Sequence, residues 1–457
     1  AFRRAIRLLV KEHAYANAEW ADLVGAFERA SGRKLSLWAD SWVKRRGMPD
    51  VRVKWSADKR GRISRLTVEQ RDVLGEGGAW PMRVKLLLAP ARSGRRPETL
   101  DVTLSGDGVT EVREAVGRRR PSFVFANHED YGYGRFLLDD ASRAAVLKNF
   151  GAIDDEFLRT LLWGALWEGV REAETGPLEY IDLAVRHAGR ERDDVTLQSV
   201  LARVQTAYAR YLSGEQQAQV APRLEAWLSS QMLTAETVGL RITYYRTFRE
   251  VATTPAAFDK LESILTGALQ VPGMTLRSRD RFDIARSLLS RRGGGGDERA
   301  EALFKSVVSQ DASDDGRRYA YAAEAARPVA SVKNKYFDDF LNDPALAESW
   351  IEAAVGPFNT PRQSELTLPY LAPALRQLPT LKRTRKIFFV NGWLAAFLGG
   401  QCSPAALDTV NDFLRREPRL DRDLRLKVLE AADALERCVR VRARYASEVP
   451  STRSPAP

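Results

Sequence analysis

Histidine is scarce in this chain, and its scarcity limits the metal chemistry that the chain can support. The 457 residues include three histidines, His13, His128 and His187. A zinc-hydrolase helix of the H-E-x-x-H type places two imidazoles one turn apart, with a glutamate between them. His128 comes nearest because Glu129 follows it, but Asp-Tyr-Gly stands where x-x-H is required. The sequence therefore predicts no metal ligands, no cofactor-binding residues and no catalytic residues in this chain.

Cysteine and long apolar runs are scarce as well. Two cysteines, Cys402 and Cys438, are too few for a disulfide framework or a thiolate zinc site. We therefore expect both cysteines to lie within helices as small, buried, apolar residues. Residues 387–398 form the most apolar stretch, but it contains Asn391 and Gly392 and falls short of the roughly 18 residues of a membrane span. The sequence predicts a cytoplasmic protein that does not cross a membrane.

The net charge is +11, and a strongly basic chain raises the question of nucleic-acid binding. The 71 basic residues are spread along the whole chain and are mixed with 60 acidic ones. No aromatic RNA-binding set, zinc finger or zipper pattern accompanies them. Nucleic acid is therefore not expected as a partner.

The hydrophobic period predicts a mainly helical, multidomain α+β protein. Residues 1–50 have a helical pattern, with Ser31-Gly32 as a helix end. Alternation then predicts short strands around residues 51–55, 63–68, 82–88, 100–104 and 123–125, which indicates a small antiparallel β-sandwich over 51–127. Residues 128–447 show helices separated by Pro and Gly, which predicts a HEAT-like α-helical solenoid, and 448–457 are expected to be a disordered tail.

Other catalytic signatures fail on inspection. The chain has no Gly-Lys pair for a phosphate loop, no G-x-S-x-G elbow and no complete dinucleotide fingerprint. Adjacent carboxylates such as Asp139-Asp140 and Asp193-Asp194 precede apolar helical runs, so helix capping is the favoured interpretation. The four glycines at 293–296 are interpreted as a loop between helices.

Three passages resemble one known family in its own order. Residues 13–53 read HAYANAEWADLVGAFERASGRKLSLWADSWVKRRGMPDVRV, residues 127–140 read NHEDYGYGRFLLDD, and residues 159–172 read RTLLWGALWEGVRE. The first resembles the exit from the catalytic domain of M1-family zinc aminopeptidases of the aminopeptidase N type. The second is similar to the passage from their β-sandwich into the C-terminal helical domain, and the third to an early helix of that domain.

The resemblance implies the C-terminal half of such an enzyme. The parent would be a zinc metallo-aminopeptidase, a hydrolase that removes N-terminal residues from peptides, and this half would close the substrate chamber. Both the zinc motif and the family's G-x-M-E-N loop are missing here, so zinc belongs to the parent and the chain alone is expected to be inactive. The alternative is a non-catalytic M1-like scaffold that acts in protein–protein interaction, and the upstream gene sequence would distinguish the two.

Within the resemblance, a basic run near the end is the candidate for the substrate chamber. The run comprises Lys382, Arg383, Arg385 and Lys386, and at helical spacing Lys382 and Lys386 share one face. Lys or Arg on the chamber face would pair with the C-terminal carboxylate of a bound peptide. A solvated face of an amphipathic helix remains the competing interpretation.

The N-terminal helices would lack the domain against which they pack. Leu8, Leu9, Phe27 and Trp38 are therefore expected either to be partly exposed or to be buried against a second copy of the chain.

Overall fold

The computed structural model describes residues 1–91, 96–106, 108–292 and 297–449, with the backbone alone at 291 and 292. The predicted loop at 293–296 and residues 450–457 of the predicted tail lie outside these ranges. The chain divides into two compact units, Ala1–Gly169 and Val170–Pro457.

The first unit begins with short helices. They are α1 (Phe2–Glu12), α2 (Trp20–Ser31) and α3 (Ser36–Ala39), and the last continues as a π-helical turn, Asp40–Lys44. Helix α2 ends at Gly32, whose φ of 71° is the left-handed C-cap that the sequence predicts. Helices α1 and α2 pack together, and the rings of Phe2 and Phe27 lie 5.4 Å apart.

Two sheets follow and face each other across an apolar core. The strands are β1 (Pro49–Ala57), β2 (Ile63–Asp72), β3 (Met82–Leu88), β4 (Glu98–Leu104), β5 (Gly108–Glu111), β6 (Val124–Phe125) and β7 (Arg135–Leu137). One sheet has the order β5-β2-β1-β7 and the other has β4-β3-β6. Inward-facing residues of both sheets, among them Val53, Val68, Val84 and Leu86, form one buried cluster. The predicted sandwich is confirmed.

The structure corrects the prediction at two strands. Strand β5 was not predicted, and β7 lies at 135–137, in the segment that was assigned to helices. Strand β7 pairs with β1 in parallel, so the sandwich is not wholly antiparallel. Both strands are short, and a strand of three or four residues has too little alternation to be recognised from its own sequence.

The passage after Asn127 joins the sandwich to the helices. The Asn127 side chain fixes a loop, because its Nδ2 donates to Asp130 Oδ1 at 3.0 Å and its Oδ1 accepts from Gly132 N at 2.7 Å. Arg135 in β7 donates to Asp50 at 3.0 Å. Asp139 then caps the next helix by accepting from Ser142 N at 3.1 Å, as the capping interpretation predicts.

Helices occupy the rest of the described chain. They are α4 (Asp140–Asn149), α5 (Glu156–Arg171), α6 (Pro177–His187), α7 (Asp194–Thr206), α8 (Gly214–Thr234), α9 (Val238–Val251), α10 (Pro255–Thr266), α11 (Ser278–Arg292), α12 (Glu298–Gln310), α13 (Asp314–Ala325), α14 (Ala330–Asn342), α15 (Glu348–Phe358), α16 (Ser364–Thr367), α17 (Leu371–Arg376), α18 (Leu378–Thr384), α19 (Ile387–Gly399), α20 (Pro404–Arg416) and α21 (Arg422–Arg444). Short 3₁₀ turns and a π-helical turn, Ala207–Tyr211, lie between some of them. The mainly helical fold class is confirmed.

Within the second unit the helices stack in series. Contacts run from α7 to α9, α11, α13, α15, α19 and α21, while α8, α12 and α20 pair with members of that row. The end of the row returns to its beginning, because α21 contacts the π-helical turn after α7. Among the described residues, none of the helices combines the length and apolar character that a membrane span requires.

Helix α21 is tied to the start of this unit by polar contacts. Arg437 and Arg440 both pair with Glu172, the latter at 3.3 Å, and Tyr445 Oη donates to Ala173 O at 3.0 Å. Gln216 Nε2 donates to Glu448 O at 2.8 Å, so Glu448, which was assigned to a disordered tail, is held in place.

The cysteines differ from their prediction. Both are buried, as expected, but Cys402, which lies just before α20 and not within a helix, forms a disulfide with Cys438 of α21. Because 36 positions separate the two cysteines in the sequence, local patterns do not show that the fold brings them together.

Candidate functional site

None of the three histidines, all of which the structure describes, has a partner set that fits a zinc site. His13 and His128 each approach a neighbouring carboxylate at 3.8 Å, and His187 lies in α6. Burial lowers the pKa of His187, with smaller effects from Arg186 and Arg190. In the part of the chain that the structure describes, no three His, Cys, Asp or Glu side chains come together as metal ligands.

The segment that most resembled a zinc motif is a turn. Glu129 and Asp130 have φ of 57° and 55°, in the left-handed region, so His128–Asp130 cannot start a regular helix. The Glu129 carboxylate pairs with Lys85 of β3.

The predicted basic run does not form a single helix. Helix α18 ends at Thr384, Arg385 and Lys386 have extended backbone, and α19 begins at Ile387. The predicted common face of Lys382 and Lys386 is therefore wrong. The break separates four cations and allows α19 to bury its own apolar residues, such as Phe389.

Two of the four cations have acidic partners. Lys382 pairs with Asp421 and lies 3.5 Å from Asp423, both at the start of α21, and the hydrogen bond to Asp421 raises the pKa of Lys382. Arg385 Nη1 lies 3.7 Å from Glu348 Oε2, and its guanidinium lies over the Phe389 ring.

The other two cations are open to solvent. Arg383 and Lys386 are exposed and have no ion pair among the described residues. Phe388 beside them is 78% exposed, so this bend combines free positive charge with an apolar surface. A group of this kind can bind a carboxylate that is attached to an apolar body.

A second cluster of arginines was missed by the sequence analysis. Arg210, Arg286 and Arg362 line one cavity, although they belong to three different elements of the helical unit. None of them stands in a basic run, so the sequence offers no local signal for the cluster. The fold alone brings them together.

Comparison with known proteins assigns the family. Residues 123–437, more than half of the chain, match the family model described as the ERAP1-like C-terminal domain. Aminopeptidase N of Streptomyces lividans is 26% identical over 455 residues, which cover 97% of this chain and 52% of that protein. The chain thus spans about half the length of this relative.

Other relatives match shorter segments. The puromycin-sensitive aminopeptidase of Caenorhabditis elegans is 36% identical over 167 residues, covering 34% of this chain and 17% of that protein. The tricorn protease-interacting factor F2 of Thermoplasma volcanium is 24% identical over 212 residues, covering 45% and 24%. The chain therefore belongs to the ERAP1-like C-terminal domain family and corresponds to a C-terminal portion of an M1-family aminopeptidase.

Proposed function

We propose that this chain is the non-catalytic C-terminal portion of a zinc-dependent aminopeptidase that removes N-terminal residues from peptides. The observation that carries the proposal is the similarity to an aminopeptidase N over 97% of the chain. Since the residues that the structure describes do not fit a zinc site, the metal would be held by another part of the parent protein. The helical unit would help to close the chamber in which the peptide lies.

The first test compares the 457-residue chain with the proposed parent protein, which would also contain the catalytic domain. Zinc content is measured by metal analysis, and hydrolysis is followed with aminoacyl anilides. We expect about one zinc per molecule and activity in the longer protein alone. One tightly bound zinc in the 457-residue chain, or a longer protein without zinc and activity, would contradict the proposal.

The exposed cations at the bend between α18 and α19 are proposed to face the peptide. Arg383→Ala in the active protein should raise KM for a tetrapeptide with a free C-terminus by roughly tenfold, because a charge-assisted hydrogen bond is lost. KM for an aminoacyl anilide, which has no such carboxylate, should stay unchanged.

Controls separate this role from a general effect of charge. Arg65→Ala removes an exposed arginine of β2 and should leave both KM values unchanged. The C-terminal amide of the same tetrapeptide should be insensitive to Arg383→Ala. Equal changes in KM for the tetrapeptide acid and its amide would show that Arg383 does not bind the C-terminal carboxylate. Arg383 and Lys386 would then be interpreted as residues of a solvated helix face.

A protein-interaction role is the second candidate. The name of the Thermoplasma relative describes a factor that interacts with the tricorn protease, and its similarity covers 45% of this chain. If the longer product of the gene contains neither H-E-x-x-H nor G-x-M-E-N, this scaffold role becomes the preferred function.

The compartment is proposed separately. The composition predicts the cytoplasm, whereas a disulfide is typical of an oxidising compartment. Both cysteines are buried in the folded chain, so alkylation in cell lysate that is denatured without reduction distinguishes them: two labelled cysteines support the cytoplasm, and none supports an oxidising compartment.

A further inference from the structure

A cavity of about 470 Å³, partly open to solvent, lies within the helical unit. Its walls come from the end of α7 with the π-helical turn after it, from α9, from α11, and from the chain between Gly356 and Arg362. The size suits a small organic molecule, since ligand pockets start at about 300 Å³.

The cavity has more positive than negative charge on its walls. Three guanidinium groups line it, those of Arg210, Arg286 and Arg362, against one carboxylate, Glu250. That carboxylate is already engaged, because Glu250 Oε1 accepts from Arg249 at 2.9 Å and from Arg286 at 3.2 Å. The charges of Arg210 and Arg362 are left without a carboxylate within 4.0 Å among the described residues.

Arg210 is partly buried, whereas Arg362 is exposed. The Nε of Arg210 is inaccessible to solvent and has no hydrogen-bond partner, and burial lowers the pKa of its guanidinium. Arg442 lies close enough to Arg210 to have its own pKa lowered by it, after the larger effect of burial. A buried charge without a partner is unfavourable, so a bound anion would remove a cost that the fold now carries.

The local backbone places Arg210 at this position. It lies in the π-helical turn Ala207–Tyr211, and such turns are often found at functional sites. Arg442 Nε donates to the carbonyl oxygen of Arg210 at 2.6 Å and so holds this turn against α21. The guanidinium of Arg362 lies 5.3 Å from the Tyr208 ring, which orients it without neutralising it.

The rest of the lining is largely apolar. Val251, Ala326, Pro357 and Pro361 supply aliphatic surface. The hydroxyl of Thr360 is buried there without a hydrogen-bond partner and can donate to a ligand oxygen.

We propose that this cavity binds a small organic anion, a carboxylate on an apolar body, with Arg210 and Arg362 engaging the carboxylate. The site is separate from the proposed peptidase function, and its test does not depend on activity. The chemistry follows from the two parts of the wall, because guanidinium groups match a carboxylate and the aliphatic side chains match its apolar body.

Isothermal titration calorimetry on the 457-residue chain tests this, with sodium phenylacetate as the probe. We expect saturable one-to-one binding, and a binding constant for neutral phenylacetamide at least about tenfold weaker. Arg210→Gln and Arg362→Gln should each lower the affinity for phenylacetate by roughly tenfold. Arg376→Gln removes an exposed arginine outside the cavity and should leave the affinity unchanged.

Other results would overturn the proposal. Phenylacetamide binding as tightly as phenylacetate would show that the guanidinium groups do not select charge. Binding of inorganic phosphate without binding of phenylacetate would show that the apolar wall takes no part. Arg210→Gln should also unfold at the same or a higher temperature than the unsubstituted 457-residue chain. Unchanged phenylacetate affinity in this folded variant would therefore exclude Arg210 from the site.

Discussion

Lys333 places a positive charge in the interior of the helical unit. Its side chain is fully buried in α14, and Nζ donates to Ala325 O at 2.7 Å and to Phe358 O at 2.8 Å. Both carbonyl groups belong to the last residues of helices, α13 and α15, where the helix dipole favours a cation. Burial nevertheless lowers the pKa of Lys333 from its ordinary 10.5 to about 7.

This lowered pKa predicts a pH-dependent stability. Between pH 7 and 10.5 the unfolded chain binds a proton at Lys333 that the folded chain lacks, so stability should rise with pH across this window. The free energy of unfolding of the unsubstituted 457-residue chain, measured relative to that of Lys333→Met, should increase by about 2 to 4 kcal/mol from pH 7 to 9.5.

Urea unfolding at a series of pH values measures the difference. Lys335→Met removes an exposed lysine of the same helix, and its free energy of unfolding should change with pH in the same way as that of the unsubstituted chain. Parallel curves for the parent and Lys333→Met would show that the buried ammonium does not titrate in this range.

At the scale of elements, the sequence predicts what depends on a regular period. Strands β1 to β4 follow from alternation, and Gly32 and Asp139 follow from the chemistry of helix ends. Strand β7 escapes prediction because its position is decided by pairing with β1 rather than by its own residues.

The candidate sites were less accessible to prediction than the fold. The basic run was found because its members are adjacent in sequence, but the break at Arg385 changed which of them are free. Arg210 and Arg362 could not be found, because 151 intervening residues separate them and only the direct packing of the turn after α7 against the turn Pro361–Gln363 brings their elements together.

The disulfide joins the segment just before α20 to α21, and its removal should weaken the fold. The chain-entropy estimate for linking positions 36 residues apart is about 3 to 4 kcal/mol. The Cys402→Ala, Cys438→Ala double variant should lose about this much in free energy of unfolding.

Reduction provides the matched control for this prediction. A reductant should lower the urea midpoint of the parent chain toward that of the double variant and leave the double variant unchanged. If thiol titration of the unfolded, unreduced protein finds two free cysteines, the bond does not form in solution and the prediction fails.

At the scale of the whole molecule, exposed apolar side chains are concentrated in the first three helices. The exposed fractions are 69% for Phe2, 64% for Trp20 and 48% for Trp38, while Leu8, Leu9 and Phe27 are partly buried. The expectation of partial exposure is confirmed. We call the exposed apolar side chains of these helices, namely Phe2, Val10, Trp20, Leu37 and Trp38, the N-terminal apolar surface.

A surface of this kind predicts self-association of the 457-residue chain, because aromatic side chains in water gain free energy when they are buried. Sedimentation velocity should show a mass that rises above 51.2 kDa with concentration in the micromolar range. A double variant, Leu37→Ser with Trp38→Ser, should shift the association to at least tenfold higher concentration. Val195→Ser, which changes an exposed apolar residue of α7, should have no effect.

In the longer protein, where the proposed catalytic domain would cover these helices, the same measurement should give a monomer. A 457-residue chain that stays at the monomer mass at every concentration would show that the N-terminal apolar surface tolerates water, and self-association would then be excluded.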